Sequence, residues 1–90
     1  MAVYKKDPNA ILDYTFDWTA YLTPIADTIA SATFVFDTGL TKASQSNTTL
    51  TATAYMSGGT VGEKLNLTCR IVTAGGRTDD RSITLLIVER

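Results

Sequence analysis

One thiol, nine carboxylates and no histidine are what this 90-residue chain offers to chemistry. Nucleophilic catalysis by Cys69 would need a base beside it, and a Cys/His pair is excluded because the chain has no imidazole. Cys69 also falls at an inward position of its segment, which makes it a core residue. Asp13 and Asp17 share one exposed strand face, two pleats or roughly 13 Å apart by strand rise. That is too far for the paired carboxylates of a glycosidase, so the two read as a solvated face. Asp79 and Asp80 are neighbours that point to opposite faces of a strand, which spoils a shared metal site; salt bridging to Arg70, Arg77 or Arg81 is expected instead. Gly58-Gly59-Thr60-Val61-Gly62 is spelled somewhat like a phosphate loop but lacks the Gly-Lys-[Ser/Thr] end and the helix that would present amides. It reads as a flexible turn. A lone cysteine makes no intramolecular disulfide and, without histidine, no usual zinc site. No catalytic residue, cofactor or metal is expected.

Eight Lys and Arg against nine Asp and Glu give a net charge of −1, which does not support a grip on nucleic acid phosphates. No apolar run approaches the ~18 residues of a membrane span, and residues 1–8 lack an apolar h-region, so neither a membrane partner nor a signal peptide is expected. A single cysteine fits reduced synthesis. The Asn-x-Thr matches at Asn47 and Asn66 are therefore glycan sequons by spelling only. With 44% hydrophobic and 19% charged residues, the chain is globular rather than disordered, and its length allows one core.

The elements follow from residue type. Threonine recurs throughout with Val, Ile, Tyr and Phe, the stiff residues that fit a pleated surface, and helix formers never cluster at a 3.6-residue period. Residues 12–19 alternate strictly, with Leu12, Tyr14, Phe16 and Trp18 on one face, which predicts a strand with one side buried. Residues 21–27 read as a connection. In the next strand, 29–36, Ala30, Ala32, Phe34 and Phe36 share a face while Ile29 and Val35 lie opposite. Asp37-Thr38-Gly39 is a turn, residues 40–43 a short strand and residues 44–47 a polar loop. Residues 50–56 alternate again with Met56 inward, and residues 57–62 turn.

The C-terminal third is the most informative. Leu65, Leu67, Cys69 and Ile71 form one inward row, Ile83, Leu85 and Ile87 another, and Gly75-Gly76 marks a hairpin tip between them. A two-residue loop would set Leu67 opposite Thr84 and mix the faces. A three-residue loop, Gly75-Gly76-Arg77, pairs Ala74 with Thr78 and sets Cys69, Leu67 and Leu65 against Ile83, Leu85 and Ile87, with Ile71 opposite Arg81. Leu86 and Val88 then lie on the outer face and need cover from another segment or another subunit.

Six short strands, with Val3 and Tyr4 able to supply part of a seventh, predict an all-β fold: a single small Ig-like antiparallel β-sandwich of six to seven strands. It is placed at residues 10–90, after an N-terminal arm at residues 1–9 that Pro8 keeps extended. Tyr4, Lys5 and Lys6 on that arm, with Leu86 and Val88, are the expected assembly contacts. The alternative is an arm folded back as an edge strand of its own domain.

Several stretches are familiar as an ordered set: Lys6-Asp7-Pro8-Asn9-Ala10 running into residues 12–22, Asp27-Thr28-Ile29-Ala30-Ser31-Ala32, Ser57-Gly58-Gly59-Thr60-Val61-Gly62, and residues 68–73 continuing through Gly76-Arg77-Thr78-Asp79-Asp80-Arg81-Ser82. Over nearly the whole chain the set resembles the small fiber-tail adaptor proteins of tailed bacteriophages. That resemblance implies a non-enzymatic structural subunit of the virion tail, assembled in the bacterial host cytoplasm and present in multiple copies around the tail axis. It would join tail fibers or spikes to tail tube, portal-adjacent or nozzle subunits. No binding residue carries over. Two other functions suit the residues: a head-tail completion or capsid decoration protein, and a carbohydrate-binding module using Trp18 or exposed tyrosines as a stacking platform. The place of Trp18 on an apolar strand face favours core packing over sugar stacking.

Overall fold

Residues 12–17 fold as a strand because alternation sends Tyr14 and Phe16 inward while Asp13, Thr15 and Asp17 stay in water. In the computed structural model, which describes residues 2–89, they form the second of seven strands. The order is β1 (Ala2–Lys6), β2 (Leu12–Asp17), a short helix α1 (Thr19–Leu22), β3 (Ile29–Phe36), β4 (Leu40–Asn47), β5 (Thr51–Gly58), β6 (Lys64–Thr73) and β7 (Thr78–Ile87). A four-stranded sheet runs β1-β7-β6-β3 and a three-stranded sheet runs β2-β5-β4. All neighbours are antiparallel except β1 and β7, which are parallel.

The inward rows of both sheets meet in one core. Phe16 of the smaller sheet stands 6.0 Å from Phe34 of the larger one, ring to ring. Tyr14 and Phe16 pair with Ala54 and Ala52 across the smaller sheet, small residues that leave room for two rings in one layer. Leu67, Ile71, Leu85 and Ile87 are fully buried, each contributing roughly 1.5–3 kcal/mol relative to exposure. Leu65, Cys69 and Ile83 complete that inner face, and Leu12 is half-buried at its margin.

Four local readings are corrected by the structure. The strand expected over 12–19 ends at Asp17, whose Oδ1 accepts from the Thr19 N–H at 2.9 Å while the Trp18 carbonyl accepts from Leu22 N–H, also at 2.9 Å. The chain thus turns into α1, and Trp18 enters the core from this corner. The mixed faces of β3 resolve through a bulge, since its register slips between Ile29 and Ser31. Ile29 and Phe34 are consequently both buried although they lie five positions apart, an offset that puts them on opposite faces of a regular strand, and Ala30 is exposed. The polar loop expected at 44–47 is instead the second half of β4, tolerated because β4 is an edge strand exposed to water.

The β6–β7 loop has the expected length but sits one residue earlier. Gly76 N–H bonds to Thr73 O and Thr73 N–H to Arg77 O, so Ala74-Gly75-Gly76 is the tip, with Gly76 at φ +88° supplying the left-handed residue. Leu65, Leu67 and Cys69 therefore face Leu85, Ile83 and Arg81, and Ile71 faces Asp79. The physical reason lies outside the hairpin. Ala74 N–H donates to Thr28 O at 2.9 Å, Gly75 N–H to Asp27 Oδ1 at 3.0 Å, and Arg77 Nη1 to Asp27 Oδ2 at 2.9 Å. The α1–β3 connection holds the tip in place.

Candidate assembly surface

The residues expected on a free arm are built into a sheet. Val3 and Tyr4 are good strand formers, and β7 without a neighbour would be an exposed edge. Ala2–Lys6 pairs along it from Ala2↔Ile83 to Lys6↔Ile87, and Val88 N–H extends the ladder by donating to Lys6 O at 2.9 Å. The arm expected at residues 1–9 is thus corrected: residues 2–6 are an edge strand of the same fold, and no structural boundary falls at residue 10.

Lys6 is also corrected as an exposed contact, because it is fully buried. Its Nζ donates to the carbonyls of Asp7 at 2.9 Å and Gly58 at 2.8 Å, tying β1 of one sheet to the end of β5 in the other. Burial pushes the ammonium below the usual lysine range, with Asp7 opposing. Gly59 beside this clasp has φ +100°, and a Cβ there would meet Ile87 Cδ1 at 2.7 Å, so this glycine segment is shaped by packing.

The other expected contacts separate onto two faces. Lys5 is exposed on the outer face, and in register Lys5 and Lys64 flank Leu86 from either side. Leu86 and Val88 are only half-exposed; part of the cover they require comes from within the chain. Tyr4, 46% exposed, turns the opposite way and packs its ring 5.7 Å from that of Tyr14.

Tyr4 opens on a feature that sequence reasoning missed. A cleft of about 160 Å³ lies between β1 and β2, lined by Tyr4, Asp13, Tyr14, Thr15, Phe16 and Ile83. These strands belong to different sheets, and no periodicity in the sequence announces that their edges meet.

The remaining titratable groups serve the fold. Cys69 is buried, and burial pushes its thiol up to about 11, with the Trp18 side chain working in the other direction. Arg70 and Asp80 form an exposed two-bond pair at 2.9 and 3.0 Å, which lowers the Asp80 carboxyl and raises the Arg70 guanidinium. Among the described residues no three His, Cys, Asp or Glu side chains gather closely enough to hold a metal. The fully buried Trp18 presents no stacking platform.

A family model described as podophage GP4 fiber-tail adaptor protein gp77 matches residues 6–86. No curated protein matches the chain.

Proposed function

We propose a tail-adaptor role from the premise that the chain belongs to the podophage GP4 fiber-tail adaptor family, a family of phage structural proteins. The chain is thereby a virion component associated with other virion proteins. Its finer role, on our reading, is to join tail fibers or spikes to the tail, in several copies around the tail axis after assembly in the host cytoplasm, without catalytic activity. The observation that carries this reading is the extent of the family match, which runs from the buried Lys6 clasp to Leu86 in the last strand.

The architecture agrees with a rigid connector. We read the fold as an Ig-like sandwich: β2-β5-β4 corresponds to the B-E-D strands of that fold and β3-β6-β7 to C-F-G, with β1 added in parallel to the last strand. The contact surface we assign is the margin where Tyr4 and Lys5 are exposed and Leu86 and Val88 half-exposed. Complete burial of Trp18 weighs against the carbohydrate-binding alternative.

The test is electron cryo-microscopy of particles made without this protein. Filled heads with tails that lack fibers are expected. Particles with fibers in place but defective capsids would replace the adaptor reading with decoration or head completion.

A further inference from the structure

We infer that the free edge of β2 accepts an extended, cation-bearing segment of another virion protein as an added antiparallel strand. The claim rests on the adaptor reading for the source of the segment and on the geometry of β2 for everything else.

Trp18 N–H donates to Leu50 O at 2.9 Å, and this pair continues the β2–β5 register of Phe16↔Ala52, Tyr14↔Ala54 and Leu12↔Met56. Bonded and non-bonded pairs alternate along an antiparallel ladder. The even residues therefore bond to β5, and the N–H and C=O groups of Asp13, Thr15 and Asp17 point away from the sheet. Asp17 O is capped by Arg81 Nη1 at 2.8 Å. No described residue bonds to the outward backbone groups of Asp13 or Thr15.

The other edges carry the devices that block strand addition. On β3 there is a bulge at Ile29/Ser31, and Ala32 O accepts from Gln45 Nε2 at 3.0 Å. A second bulge, at Lys42/Ser44, interrupts β4. Consecutive lysines end β1. By contrast β2 has a continuous register with β5 and neither proline nor lysine.

Side-chain chemistry selects the occupant. An added strand would present alternate residues to the cleft floor of Tyr4, Tyr14, Phe16 and Ile83, which takes apolar groups. Its other residues would lie beside Asp13 and Asp17 on the exposed face, which takes cations. A second copy of this edge fits poorly. Keeping like faces together in an antiparallel β2–β2 pair sets Asp13 opposite or diagonal to Asp17 of the other copy, and opposed like charges destabilise such pairs.

The probe is a ten-residue synthetic peptide alternating lysine and valine, added to the isotopically labelled full chain. Slowed amide exchange at Asp13 and Thr15 is expected, with at least tenfold weaker binding of the matching glutamate–valine peptide. Thr15→Pro removes an N–H that the β5 ladder does not use and should abolish binding. Asp13→Lys, which leaves the Asp17–Thr19 bond at the corner in place, should remove the preference for the lysine peptide. Undiminished binding by a folded Thr15→Pro chain, protection at β4 instead, or self-association through β2 would each overturn the inference. Fiberless particles after removal of the whole protein would still uphold the adaptor role, so the two ideas fail separately.

Discussion

The Arg81 guanidinium lies over the Trp18 ring, 4.3 Å from its centroid, and one of its nitrogens donates to the Asp17 carbonyl at 2.8 Å. A single exposed side chain thereby roofs the indole and closes the end of β2. Arg81→Ala should cost about 0.5–2 kcal/mol, the range for a cation over an aromatic face, and should shift the Trp18 fluorescence to longer wavelength as water reaches the ring. Trp18→Ala should cost about 3–5 kcal/mol in urea unfolding. A loss under about 1 kcal/mol would show that the indole is not a core residue.

Asp27 ties the hairpin tip to the α1–β3 connection. The Thr73 hydroxyl, the Thr28 and Gly75 amides and Arg77 together hold its carboxyl down to about 2, against burial, which raises it. A carboxyl depressed in the folded state stabilises above its unfolded value, and that stability is lost as pH falls through the folded value. Asp27→Asn should therefore melt lower than the parent at pH 7. The gap should close between pH 4 and 2, as followed by circular dichroism melts across that range.

Cys69 should be inert in the native state. Its thiol stays protonated at pH 8 because burial raises it to about 11, and the thiolate is the reactive form. A thiol-reactive dye should label the chain only after denaturant is added. Fast labelling of the folded protein would contradict the core placement.

Lys6→Met keeps the length of the side chain but leaves Asp7 and Gly58 carbonyls without their donor. A loss of about 1–3 kcal/mol in urea unfolding is expected for such buried, unsatisfied groups. Deleting Ala2–Lys6 should lower the melting temperature further, because β7 then loses its parallel neighbour. A truncated chain of unchanged stability would return residues 2–6 to the status of a tether.

Most of the face assignments were legible in the sequence. Alternation is a local signal, so Tyr14, Phe16, Leu67, Cys69, Ile71, Leu85 and Ile87 could be assigned inward from their own neighbours. The β6–β7 register could not, because sliding a hairpin by two residues returns every side chain to the same face. Leu67 is buried whether it meets Leu85 or Ile83, and only the grip of Thr28 and Asp27 on the tip decides between them.

The candidate surface was the least legible part. Residues 2–6 are too short and too mixed to declare a partner, and a lysine pair reads as solvated until a carbonyl such as Gly58 O is found beside it. The cleft along β2 needs two edges from different sheets. What the sequence determined alone is which side of each long strand faces the core, since a period of two is written into neighbouring residues. Tertiary structure decided which strands adjoin, where their edges stay open and that Lys6 is buried, because those depend on groups far apart in the chain meeting at hydrogen-bond distance.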